Sequence, residues 1–212
     1  MGDHVAAGPA GILPAQARAL ERLAAVLPPS AYLAGGVAIA LRYHHRTSGD
    51  LDLFMPGDPT EAVLPALERQ DDVEITLRKP GTLYVVIDGV PISILTYAYP
   101  HLAEPQHLAG VPVPVAAVDD LVTMKLAALA DRGAARDFWD LHELLGREHL
   151  TLAAALALFQ RRFPRHDIGH VIRALVYFAD AEQAPFPEGL TPERWDALKI
   201  SFASRVRDFA RW

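Results

Sequence analysis

The chain of 212 residues has no cysteine, which excludes disulfides, thiolate metal sites and cysteine nucleophiles, and fits a reducing compartment. Lysine is scarce: Lys79, Lys125 and Lys199 stand against 17 arginines. No uninterrupted apolar run approaches membrane-spanning length. The Gly/Ala/Pro-rich start, Met1 to Pro14, carries Asp3 and His4 where a secretory signal would place basic residues. The expectation is a soluble, cytoplasmic protein with no membrane partner and a flexible N-terminus over 1–13. An excess of positive charge is also lacking. The net charge of -6 repels phosphate backbones, so any RNA must dock on a local basic patch. Internal repeats are missing too, and 51% hydrophobic with 22% charged residues is the composition of a chain that folds around a core.

Periodicity places a helix over Gln16–Leu27, with Ala19, Leu20, Leu23, Ala24 and Leu27 on one face, stopped by Pro28-Pro29. Tyr32-Leu33-Ala34 leads into Gly35-Gly36 and a helix to about His44. Asp50-Leu51-Asp52-Leu53-Phe54 alternates with period two and reads as a strand. A helix is expected over 60–69, then strands over 73–77, 83–87 and 90–97, the last two joined by the hairpin signal Asp88-Gly89. After several prolines the chain turns helical: 119–130, 134–145, 152–162, 168–181 and 192–209. Thr191-Pro192 supplies a cap residue and a proline for the first helical position of the last. The fold class is α+β, with a small mixed sheet first and a helical bundle after. The expected division is 14–116 and 117–212. Carboxylates concentrate early: 11 Lys and Arg face 19 Asp and Glu up to Leu150, against 9 and 7 beyond.

Asp50 and Asp52 are the most informative pair. Two residues apart in a strand, they project from one face while Leu51 and Leu53 pack on the other. Adjacent like charges are unfavourable without a cation, and oxygen-only ligands suit a hard ion such as Mg²⁺. The alternative is a solvated acidic edge. Gly35-Gly36 opens a helix whose N–H groups can meet a phosphate, which Mg²⁺ on the aspartates could share.

The segments Leu33-Ala34-Gly35-Gly36-Val37-Ala38 and Arg46-Thr47-Ser48-Gly49-Asp50-Leu51-Asp52-Leu53-Phe54 resemble the first motif of the abortive-infection-type nucleotidyltransferases. These are toxin halves of toxin-antitoxin pairs within the DNA polymerase β-like superfamily. Asp119-Asp120-Leu121 through Met124-Lys125, followed by Arg132-Gly133-Ala134-Ala135-Arg136-Asp137-Phe138-Trp139-Asp140-Leu141, resembles that family's C-terminal signature. The resemblance covers about Ala31 to Leu145. It implies a polymerase β-like core in the first part, completed by the helices. It assigns Mg²⁺ to Asp50 and Asp52, and the triphosphate to Gly35 and Gly36. Arg46 and Ser48 would lie along the phosphates, and Lys125 and Asp137 would complete the nucleotide site. The implied reaction moves a nucleoside monophosphate from an NTP to RNA, including tRNA ends, or to another hydroxyl acceptor. A cognate antitoxin is the implied protein partner.

Other readings stay open for single residues. Lys125 suits a phosphate as a point charge, or is a snorkelling surface side chain. Asp137 and Asp140, one turn apart near the core, need a partner among Arg132, Arg136 and Lys125, and could form a purely structural ion-pair cluster. Related transferases place a third carboxylate on a later strand, where Ser93 stands here. Serine cannot act as a general base at neutral pH, which leaves a non-catalytic nucleotide- or partner-binding module as the alternative. His166 and His170 read as surface residues, Arg161, Arg162, Arg165 and Arg173 as exposed helical arginines, and Trp195, Leu198, Phe202, Val206 and Phe209 as core.

Overall fold

The computed structural model describes residues 11–211; the expected flexible N-terminus lies, through residue 10, outside them. The chain divides into two compact units. One runs to Ala98 and includes Pro105–Ala116; the other joins Tyr99–Glu104 to the chain from Ala117 on.

In the first unit, helix α1 (Pro14–Ala24) begins with proline at its first position. It stops three residues before the expected end. The backbone from Leu23 tightens into a last turn, Val26 and Leu27 both donating to its carbonyl, because Leu27 precedes a proline and is pushed out of the α region. Strand β1 (Tyr32–Ala34) runs straight into α2 (Gly35–Tyr43). Strand β2 (Leu51–Met55) follows, so Asp50 sits just ahead of the strand rather than in it. The helix expected over 60–69 is two single turns, α3 (Pro59–Ala62) and α4 (Leu64–Leu67). Pro65 has no N–H for an α-helical bond, so one turn cannot continue into the next. Strands β3 (Val73–Lys79), β4 (Thr82–Ile87) and β5 (Val90–Thr96) complete the unit.

The five-stranded sheet has the order β1-β2-β5-β4-β3, with β2 and β5 parallel and the other pairs antiparallel. The sheet is thus mixed, as the alternation implied. Asp88 and Gly89, both at positive φ, form the β4–β5 turn. Arg22 of α1 reaches this turn and the start of β3, donating to Asp88, Gln70 and Asp72. One face of the sheet is the core, through Leu51, Leu53, Leu83, Val85, Ile92 and Ile94. The segment before Ala117 returns to pair with β1 through Leu33 and Val115.

In the second unit, α5 (Val118–Asp131), α6 (Ala135–Arg147), α7 (Leu152–Arg162), α8 (Ile168–Ala174) and α9 (Pro192–Phe209) follow one another. Helices α7 and α9 keep the bounds read from sequence, each capped by a threonine, Thr151 and Thr191. Helix α8 ends seven residues early. Beyond it the chain turns so that Phe178 packs on Phe138 and Trp195, a tertiary demand that overrides local helix propensity. The segment 99–104, grouped by sequence with the first part, goes with these helices because buried Asp120 accepts the N–H groups of Leu102 and Ala103 and pairs with buried Arg162. Arg162 is therefore a core ion-pair residue, not the exposed arginine expected. Among the described residues no helix is long and apolar enough to cross a membrane.

Candidate active site

Six of the residues singled out in the first motif meet at the start of α2 and the adjoining edge of β2. Gly35 has φ of 68°, where non-glycine residues are strained. A Cβ there would collide with the carboxylate of Asp52. Gly36 is equally crowded: a Cβ would strike the Ser48 hydroxyl and the Arg46 guanidinium. The double glycine therefore lets Asp52, Arg46 and Ser48 close on the backbone of the first turn. That turn has no side-chain cap, so its N–H groups and the positive end of the helix dipole are aimed where an anion would sit.

Each aspartate is oriented by a hydroxyl. Buried Ser48 donates to Asp50 at 3.2 Å, and Ser93 donates to Asp52 at 2.7 Å. Asp50 is exposed and Asp52 half-buried. Ser93 is the direct neighbour of Asp52 in the parallel β2–β5 ladder, the position read from sequence as that of the missing carboxylate. It stands there as a hydrogen-bond donor. Asp88 is engaged elsewhere, paired with Arg22 and Arg18.

Sequence reasoning missed Gln16. It is buried on α1, takes the Leu13 N–H on its carbonyl oxygen and donates its amide to the Ser48 carbonyl at 2.7 Å. The signal was a lone amide among Ala19, Leu20 and Leu23 on an otherwise apolar helix face, which requires a buried partner.

The second motif forms its own cluster. Lys125 is buried, which excludes a snorkelling side chain, and pairs with Asp137 at 2.9 Å and Asp140 at 2.6 Å. Arg132 grips Asp137 through Nε at 2.8 Å and Nη2 at 2.9 Å. Both aspartates are fully buried, and Lys125 and Arg132 are the partners that sequence left open; Arg136 is exposed. Burial alone would lower the pKa of Lys125, but Asp140 and then Asp137 outweigh it and hold the ammonium above its ordinary range. Burial likewise pushes the Asp137 carboxyl up, and the Arg132 hydrogen bond with the nearby Lys125 charge brings it below the usual range.

Among the described residues, no three His, Cys, Asp or Glu side chains gather as a metal cage. A pair of neighbouring carboxylates is nevertheless the donor set that Mg²⁺ uses when substrate phosphates complete its shell. Asp50 and Asp52 fit that requirement.

The mixed five-stranded sheet with its helices has the fold of nucleotidyltransferase toxins. MenT4, a nucleotidyltransferase toxin of Mycobacterium tuberculosis, is similar with a TM-score of 0.64 at 20% identity, covering 92% of this chain and 82% of that one. A putative nucleotidyltransferase from Helicobacter pylori is similar at a TM-score of 0.55 and 19% identity, covering 94% and 98%. An uncharacterized protein of Aquifex aeolicus is 30% identical over 200 residues, 92% of this chain and 95% of that one. The family described as nucleotidyl transferase AbiEii toxin, of the type IV toxin-antitoxin system, matches residues 18–211. The chain belongs to the AbiEii nucleotidyltransferase toxin family and is an enzyme of the nucleotidyltransferase class.

Proposed function

We propose that the protein is a cytoplasmic, Mg²⁺-dependent nucleotidyltransferase that moves a nucleoside monophosphate from an NTP to a hydroxyl of RNA, and that a cognate antitoxin restrains it. The single observation that carries this reading is the Asp52 carboxylate lying against Gly35, with Arg46 and Ser48 against Gly36. Carboxylates for a cation and donors for a phosphate are thereby brought to one helix start.

The N–H groups of the first turn of α2 bind phosphate oxygens. Arg46 adds a planar fork of donors suited to phosphate. Asp50 and Asp52 hold the cation, fixed in direction by Ser48 and Ser93. The chemistry that Mg²⁺ supplies there is neutralisation of charge on the α-phosphate and its alignment with the acceptor. The acceptor hydroxyl gives up its proton to water and its oxygen bonds to the α-phosphorus as the bond to the α–β bridging oxygen breaks and pyrophosphate leaves. The roles implied for Lys125 and Asp137, gripping the triphosphate and completing the nucleotide site, are part of the proposal. Their readout is the KM for NTP in variants that remain folded.

Incubating the protein with each labelled NTP, Mg²⁺ and total RNA should label RNA, and EDTA should stop the labelling. No transfer with any NTP, despite measurable binding of Mg-NTP, would instead support the non-catalytic module. Ser93 has its own test. Ser93→Ala should weaken Mg²⁺ binding in titration calorimetry by about tenfold, the usual cost of removing an outer hydrogen bond from a metal ligand. Ser93→Thr, which keeps the hydroxyl, should recover most of it. Unchanged affinity in Ser93→Ala would remove the positioning role.

A further inference from the structure

The register of the sheet aligns four residues in one row across β3, β4, β5 and β2. Leu77 faces Tyr84, Tyr84 faces Ser93, and Ser93 faces Asp52. Directly opposed residues share a face, so the row begins on the candidate metal ligand and runs out to two exposed apolar side chains. Tyr84 is 40% and Leu77 37% exposed, which puts both with the exposed large apolar side chains of the described residues. With neighbouring strands about 4.8 Å apart, Tyr84 lies roughly 10 Å along the row from Asp52. Lys79 is two residues along β3 from Leu77, hence on the same face, and is exposed. Glu74 also lies on that face, opposite Val86 at the other end of β3. Along β3, positive charge thus stands at the Leu77 end and negative charge at the other.

The glycine turn that receives the triphosphate follows β1, on one side of β2 in the sheet order. Tyr84 lies on the other side, beyond β5. A second substrate therefore has its own approach to the aspartates, over the row. We propose that Tyr84, flanked by Leu77, stacks a base of a single-stranded RNA acceptor, with Lys79 taking one of its backbone phosphates. This rests on the nucleotidyltransferase reading, since Asp52 is what makes the row a substrate surface. An exposed phenol ring beside an aliphatic side chain offers a flat face to any base, and one nearby ammonium answers the charge each nucleotide brings. The net charge of -6 makes so localised an attraction necessary for RNA.

The test measures binding, without NTP, of fluorescent single-stranded octaribonucleotides, intact or with one abasic position moved along the strand. Wild type should lose roughly tenfold in affinity at one abasic position, the scale of a single stacking contact. Tyr84→Ala should lose a similar factor with the intact strand and be indifferent to that abasic site; Tyr84→Trp should behave as wild type. Lys79→Ala should reduce the slope of log affinity against log salt by about one counterion, scaled by roughly 0.7 for single strands. Equal abasic penalties in wild type and Tyr84→Ala, or no binding of any octanucleotide, would overturn the proposal. Mg-NTP binding measured on the same proteins should not change in Tyr84→Ala. Its absence from wild type would count against the nucleotide site itself, while the base-stacking comparison would still be decided by the oligonucleotides.

Discussion

Asp52→Asn is expected to lower nucleotide transfer by about 10³-fold or more, a loss on the scale of removing a central electrostatic group from a catalytic site. The fold should survive. The amide oxygen of asparagine can still accept the hydrogen bond that Ser93 donates at 2.7 Å, and the side chain keeps its shape against Gly35. What changes is charge: one of the two carboxylates available to a cation is neutralised, so Mg²⁺ affinity falls along with turnover. Measured melting temperatures of the two proteins should agree within a few degrees. Transfer that persists at the wild-type rate in Asp52→Asn would sink the assignment of this residue.

Asp137→Asn should act in the opposite manner, through stability. Its carboxylate is fully buried and accepts three charge-assisted hydrogen bonds, from Lys125 and twice from Arg132. Removing one member of a buried ion pair costs about 3–5 kcal/mol. For a chain of this size that corresponds to a fall of roughly 6–20 °C in melting temperature. The pH dependence follows from the direction of the shifts. The Asp137 pKa is depressed in the folded state, so its stabilisation is complete above the ordinary carboxylate range and is lost as pH falls through the folded value. The Lys125 pKa is raised, so its contribution is complete below the ordinary lysine range and is lost as pH rises through the folded value. Asp137→Asn should therefore flatten the acid limb of a stability-pH profile. Wild-type stability and an unchanged acid limb in the variant would show that the cluster does not hold this unit together.

These two outcomes also show what the sequence could reveal. Period-two alternation places Asp52 in β2, while Asp50 lies just ahead of the strand. The glycine pair at the start of α2 and the hairpin at Asp88-Gly89 were legible because each is local: a helix opened by glycine, a turn needing positive φ. The same holds for Thr191-Pro192, a cap and a proline that set the start of α9 by themselves. Gln16 was not legible as a brace for the Ser48 loop, since its partner lies 32 residues away. Nor did sequence choose between Arg136 and Arg132 as partner for Asp137; packing left Arg136 exposed, while Arg132 at the end of α5 grips the carboxylate. The α8 boundary failed for a similar reason, because aromatic contacts from Phe178 decide where that helix stops. Ser93 was found by its place on the strand. Only the structure showed that it stands beside Asp52 in the ladder and donates to its carboxylate.

Edge strand β3 slips register between Ile75 and Leu77, leaving Thr76 as the extra residue of a bulge. A foreign strand arriving along that margin finds backbone donors and acceptors that fall out of step halfway, so it cannot zip into a continuous ladder. The irregularity thus discourages fibril-like stacking of one copy on the next at the border beside the exposed Leu77 and Tyr84, which lets those side chains stay uncovered in a crowded solution.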